Sequence, residues 1–131
     1  MREIKFRAWD KNADRMLHFD TTNIMMTLEG IAYLPDDIEP NGFRNIHKQV
    51  ELMQYTGLKD KNGKEIYEGD LLHNSMDKEP FYIIQWDSRN ACFELGDDGN
   101  NLAKFAVHEF WEVIGNIYKN PELIKAVEEK E

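Results

Sequence analysis

Tyr55-Thr56-Gly57-Leu58-Lys59-Asp60-Lys61-Asn62-Gly63-Lys64-Glu65-Ile66-Tyr67-Glu68-Gly69-Asp70-Leu71-Leu72 is the stretch that decides the fold. Upstream, Val50 and Leu52 are apolar on alternate positions and run through Tyr55 into Thr56-Gly57. Asp60-Lys61-Asn62-Gly63 reads as a tight turn, because Asn-Gly adopts the positive φ that short hairpin turns require. Ile66-Tyr67 restarts a strand, Glu68-Gly69-Asp70 turns again, and Leu71-Leu72 continues extended. Gly57, Gly63 and Gly69 therefore read as turn positions that hold short strands in register. A phosphate-cradling loop is a poorer reading, since it needs a helix after the glycines and Leu71-Leu72 is strand.

Toward the C-terminus the same grammar repeats. Phe81 to Trp86 is dense in aromatic and β-branched residues and predicts a central strand. Asp87-Ser88-Arg89-Asn90 is a turn, and Ala91, Phe93 and Leu95 alternate after it. Asp97-Asp98-Gly99-Asn100 turns once more. Leu102 to Phe110 fits either one helical turn or a loop with a short strand. Trp111 to Ile117 predicts a closing strand in which Gly115 is a bulge or bend. Asn120-Pro121-Glu122-Leu123 has helix-start chemistry: an amide at the cap, Pro at the first position and an acid in the first turn. Leu123, Ile124, Ala126 and Val127 make the apolar stripe of a short helix over 121–129, docked by Leu123 and Val127. Residues 50–118 thus predict a mainly β fold. Its centre is a small curled antiparallel sheet resembling an SH3-like barrel, with extra N-terminal strands and a short C-terminal helix.

At the other end, Ile4, Phe6 and Ala8 alternate with Lys5, Arg7 and Trp9. This is a period-2 strand whose first set serves the core. It leaves Trp9 on the outer side of an exposed β edge over residues 4–9. Asp10 to Asp14 is a polar turn, Met16, Leu17 and Phe19 resume a strand, and residues 22–34 hold two more short β candidates around Gly30. Pro35 to Gly42 is a loop. The 131 residues suit one domain, with subdomains at 1–49 and 50–120 and the helix at 121–129.

A net charge of −9 opposes binding to a phosphate polymer unless basic residues are segregated. Only Arg2, Lys5 and Arg7 approach such a cluster, so a nucleic-acid-binding module is an alternative reading rather than the leading one. Cys92 is the single cysteine. It excludes an intrachain disulfide and reads as a buried free thiol. The charged N-terminus and the lack of a long apolar run predict no signal peptide and no membrane span, hence a cytoplasmic protein.

Reactive constellations are sparse. Asp10, Asn12 and Asp14 copy the opening of a calcium loop, but Arg15 stands where its Gly belongs and Thr21 where its closing Glu belongs. His18, His47, His73 and His108 are dispersed without metal-ligand spacing. The adjacent acids Asp36-Asp37, Asp97-Asp98 and Glu128-Glu129 are not arranged across a cleft as glycosidase carboxylates must be. Ser75 and Ser88 lack a nucleophile elbow. His108 beside Glu109, completed by Asp70, is the one set that folding would have to assemble into a small hydrolase. The expectation is no catalytic, metal or cofactor site. Of the many large aromatics, Trp9, Tyr55, Tyr67, Trp86, Phe93 and Trp111, most belong in the core and one or two at the surface. There they mark an interface, expected at Trp9 with Ile4 and Phe6.

Several blocks together resemble the YopX family of small phage and prophage proteins. They are Arg2-Glu3-Ile4-Lys5-Phe6-Arg7-Ala8-Trp9-Asp10, Leu52-Met53-Gln54-Tyr55-Thr56-Gly57-Leu58-Lys59-Asp60, Gly63-Lys64-Glu65-Ile66-Tyr67-Glu68-Gly69-Asp70, Val113-Ile114-Gly115-Asn116-Ile117-Tyr118 and Asn120-Pro121-Glu122-Leu123. Residues 21–47 and 74–110 carry no such block. The resemblance implies a mostly β fold and a phage or prophage gene of a Gram-positive or related bacterium, and it leaves oligomerisation open. It implies no enzyme activity, cofactor or ligand. The functional expectation is an accessory protein in the cytoplasm of the bacterial host. It would act by protein–protein contact or self-assembly, with a homo-oligomer as one form, nucleic acid the disfavoured alternative and no membrane partner.

Overall fold

The computed structural model describes residues 3–19, 22–96 and 100–130, with side chains through residue 128. The chain divides into two compact units, one formed by Lys5–Gln54 and the other by Tyr55–Glu131 together with the N-terminal residues up to Ile4.

In the Lys5–Gln54 unit, β1 (Phe6–Asp10) and β2 (Arg15–His18) make an antiparallel hairpin with Ala8 opposite Leu17. Its turn is closed by Asp10, whose Oδ1 accepts the Asn12 and Ala13 N–H groups at 3.0 and 3.3 Å. Asp14 takes the left-handed conformation, φ +50°. This is why Asp10-Asn12-Asp14 is a turn and not a cation loop: Asp10 is already engaged by backbone donors and faces Arg15. β3 (Met25–Met26), β4 (Ala32–Pro35) and β5 (Phe43–Asn45) form an antiparallel meander. β6 (Val50–Lys59) then pairs with β1 from Asp10↔Val50 to Phe6↔Gln54. Ala8, Leu17, Ile24, Ala32, Ile46 and Val50 are the buried core, with Phe19, Leu34 and Leu52 against them.

The pairing corrects the expected edge at residues 4–9. β1 lies between β2 and β6, so both of its sides carry ladder hydrogen bonds. Four consecutive residues, Arg7 to Asp10, are buried, the mark of a strand covered on both faces.

From Tyr55 onward β6 belongs to the second unit and pairs with β7 (Glu65–Tyr67), its register shifting between Tyr55 and Lys59. Gly57 (φ +88°) and Gly63 (φ +80°) supply the left-handed backbone that this shift and the Asp60–Gly63 turn need. β8 (Asp70–His73), β9 (Tyr82–Asp87) and β10 (Cys92–Leu95) follow as a meander. A 3₁₀ turn (Leu102–Lys104) and the single-turn helix α1 (Val107–Phe110) lead to β11 (Glu112–Asn116), and the described chain ends in helix α2 (Pro121–Lys130). The sheet order is β10-β9-β8-β11, all antiparallel. The curled sheet is half of a barrel, as the alternation of short strands and turns predicts.

Its core is Ile66, Leu72, Ile84, Leu95, Leu102, Val107 and Trp111. Leu102 to Phe110 thus resolves into two short helical turns that each bury one aliphatic side chain. Ala91 sits in the left-handed region (φ +51°) at the end of the β9–β10 turn rather than in the strand. Cys92 is half-buried, not enclosed. Gly115 is the expected bulge: the β11–β8 register shifts between Val113 and Gly115.

Candidate functional site

Two clamps position β11. The first is Asp60, 97% shielded from solvent at the β6–β7 turn. Its Oδ1 accepts the Asn62 and Lys64 N–H groups, both at 2.9 Å, and its Oδ2 accepts the Val113 N–H at 2.9 Å. The Lys61 N–H adds a bond to the Trp111 carbonyl at 2.9 Å. Burial pushes the Asp60 carboxyl up, but the N–H groups of Val113, Lys64 and Asn62 and the charge of Lys64 outweigh it and hold the carboxyl below its ordinary range.

The second clamp lies between β11 and α2. The Asn116 Oδ1 accepts the Tyr118 and Lys119 N–H groups at 3.0 and 2.8 Å. The Asn120 Oδ1 reaches back to accept the Asn116 N–H at 3.1 Å. Asn120 precedes Pro121 as the helix-start reading predicts, yet its side chain serves the preceding turn. A Cβ on Gly115 would run into that Asn120 side chain, which explains why glycine occupies the bulge.

These clamps leave α2 beside an open apolar cleft of about 540 Å³ lined by Pro80, Phe81, Ile114, Leu123, Ala126 and Val127. The volume lies within the range of ordinary binding pockets. Its Pro80–Phe81 wall is anchored by His73, whose Nδ1 donates to the Pro80 carbonyl at 2.8 Å, and by the Tyr82 hydroxyl, which donates to Asp77 Oδ1 at 3.1 Å. The Nδ1 proton follows from the partner, since a carbonyl only accepts. Leu123 and Val127 are half-buried and face this cleft instead of joining the buried core. Ile114 is 39% exposed beside them. No local sequence pattern marks this cleft. Its signals are an apolar residue at the outward position of β11 and a helix stripe with no core left to fill.

The residues singled out from sequence fall elsewhere. Trp9 is 8% exposed and Ile4 64% exposed, the reverse of the expected pattern. Phe6 is half-buried, its ring 6.0 Å from that of Phe19. Among the basic trio, Arg7 is buried, Lys5 half-buried, and Arg2 lies outside the described residues. His108, Glu109 and Asp70 are not brought together. The His108 Nε2 stands 3.4 Å from Glu109 Oε1 in solvent, while Asp70 is buried and its Oδ2 accepts the Tyr67 N–H at 2.8 Å. Among the described residues no three of His, Cys, Asp or Glu cluster as metal ligands, and no helix is long and apolar enough to cross a membrane. Asp97-Asp98-Gly99 and Thr21 lie outside the described residues.

Tyr55, Tyr67 and Trp111 are buried, whereas Trp86 and Phe110 are about half exposed. Trp86 stands edge-on to Phe93, with ring centroids 5.0 Å apart. The β9–β10 turn beside it is closed by Asp87. The Asn90 side-chain amide donates to its Oδ2 at 2.7 Å, and this bond chiefly, with the Arg89 and Asn90 N–H groups, lowers its carboxyl below the usual range despite burial.

Half-barrel, bulge and terminal helix define a class of small, mostly β, two-unit protein that carries an open apolar cleft beside its terminal helix. The model of the YopX protein family matches residues 5–125, and the chain belongs to that family. It is similar to the crystal structure of protein EF1440 from Enterococcus faecalis, with 27% identity and a TM-score of 0.62 over 95% of this chain and 99% of that one. It also shares the fold of protein yopX from Bacillus subtilis, with 22% identity and a TM-score of 0.56 over 94% and 96% of the two chains. No curated protein matches it.

Proposed function

We propose that this chain is a phage or prophage accessory protein without enzymatic activity of its own, which works by self-assembly through the α2 cleft. The observation that carries this reading is the shape of the patch. It contains both a ridge, the Leu123–Val127 face of α2, and a receiving wall, Phe81 with Ile114. A two-fold interface needs one surface patch that complements itself, and apolar groups at its centre with charged groups at the rim suit that role. Lys78 and Glu79 supply charge at its edge. The overall charge of −9 repels a second copy at long range, so added salt should strengthen the association by screening.

Sedimentation over a range of protein concentrations tests this, in low and moderate salt and with Ile114→Asp. The expected result is a concentration-dependent oligomer, favoured by salt and lost in the variant. A monomer at every concentration removes self-assembly. An oligomer that ignores the substitution moves the contact away from the cleft.

A further inference from the structure

We propose that the groove between the β1–β2 turn and the loop leading into β6 is a binding site for the phosphate group of a small phosphorylated molecule. The groove has a volume of about 670 Å³ and lies wholly within the Lys5–Gln54 unit, on different elements from the α2 cleft. Its polar lining is Lys11, Asn12, Asn45, His47, Lys48 and Gln49, and Ile31 supplies the apolar remainder. In a chain with 25 acidic and 16 basic residues, this lining contains two lysines, a histidine and three amides, and not one carboxylate.

The two walls are fixed to each other. The Lys11 N–H donates to the Gln49 carbonyl at 2.9 Å, and the Gln49 N–H donates to the Ile46 carbonyl at 3.0 Å. Asn45 is oriented by its own loop: its Oδ1 accepts the His47 N–H at 2.8 Å, which leaves its NH₂ as the end free to donate. Nearby acids are already committed. Asp10 accepts two N–H groups of its turn and faces Arg15. Glu51 stands 3.4 Å from the Lys11 Nζ, with both side chains about half exposed, a weak pairing that an anion can displace.

The Lys48 ammonium and the His47 ring have no hydrogen-bond or ion-pair partner among the described residues. The groove therefore presents two ammonium groups and no lining carboxylate, with room beside the phosphate for the rest of a small molecule, and lysine serves phosphate as a point charge. A polymer is the poorer occupant. Its neighbouring phosphates would lie against the rest of a chain of charge −9.

The test is a titration of the full chain with inorganic pyrophosphate at low ionic strength, followed by backbone amide NMR shifts. Saturable shifts confined to residues 11–12 and 45–49 are expected. Their midpoint should weaken at least about tenfold in the Lys11→Gln/Lys48→Gln variant, the loss of two charge-assisted contacts, and stay unchanged in Lys119→Gln/Lys125→Gln, which removes equal charge from the other unit. Shifts that do not saturate, that spread over the chain, or that persist in the first variant overturn the site. A short single-stranded oligonucleotide provides the second arm. Binding at the same amides that is tighter than that of pyrophosphate overturns the small-molecule assignment in favour of a nucleic-acid phosphate.

Discussion

Replacing Asp60 with alanine deprives three backbone N–H groups of their acceptor at once. Those of Asn62 and Lys64 lie in an exposed turn and can recruit water. That of Val113 lies in β11, 53 residues away in sequence. Each orphaned buried donor costs about 1–3 kcal/mol, and bonds to a charged acceptor sit at the upper end. With water rescuing part of the turn, Asp60→Ala should cost about 3–5 kcal/mol. Asp60→Asn keeps one accepting oxygen and replaces the other with a donor. Whichever way the amide turns, one or two bonds are lost, so the cost should be smaller, about 1–3 kcal/mol.

Urea unfolding followed by tryptophan fluorescence gives the order: wild type, then Asp60→Asn, then Asp60→Ala. The sign of the pH effect is also determined. The folded carboxyl titrates below its unfolded value of 3.8, so its contribution is complete above that pH and disappears as pH falls through the lower folded value. Asp60→Asn should flatten that acid limb. An alanine variant within 1 kcal/mol of wild type, or an unchanged acid limb in Asp60→Asn, would refute the clamp.

Gly115→Ala should destabilise by about 1–3 kcal/mol through collision with Asn120. In Gly115→Ala/Asn120→Ala the two costs should fall short of additive in a double-mutant cycle, because the collision is gone. Trp9→Asp should act on folding rather than association, costing at least about 3 kcal/mol, since it removes a buried indole and buries a charge; a normal melting temperature with altered sedimentation would contradict this. Ending the chain after Tyr118 should cost about 2–5 kcal/mol, because it removes the half-buried Leu123 and Val127 and the Asn120 acceptor of the Asn116 N–H; thermal melts of the two lengths decide it.

What was legible in the sequence was local. Asn62-Gly63 marked its turn, Gly115 its bulge and Pro121 its helix start because each depends on neighbours within a few residues. What escaped depends on partners far along the chain. Trp9 looked like the outer side of an edge because alternation in residues 4–9 cannot show that β6 arrives from 40 residues away to pair with β1. Phe43–Asn45 carried no strand pattern, as Arg44 and Asn45 are exposed and only pairing with β4 makes them extended. The same limit hid the candidate site. Ile114 and Leu123 belong to two elements whose separate patterns do not show that the cleft between them stays open.

The chain leaves the larger unit after Ile4 and rejoins it at Tyr55. Phe6 and Gln54, just inside those limits, are ladder partners, so their Cα atoms lie only about 5 Å apart. Topologically, Lys5–Gln54 is a cassette whose two ends meet side by side. Such a segment can be shortened, exchanged for another, or removed and bridged by a couple of residues, with the strands that follow Tyr55 keeping their own core. The groove beside the β1–β2 turn and the apolar cleft beside α2 would then be inherited, lost or replaced independently, one travelling with the cassette and the other remaining with its host.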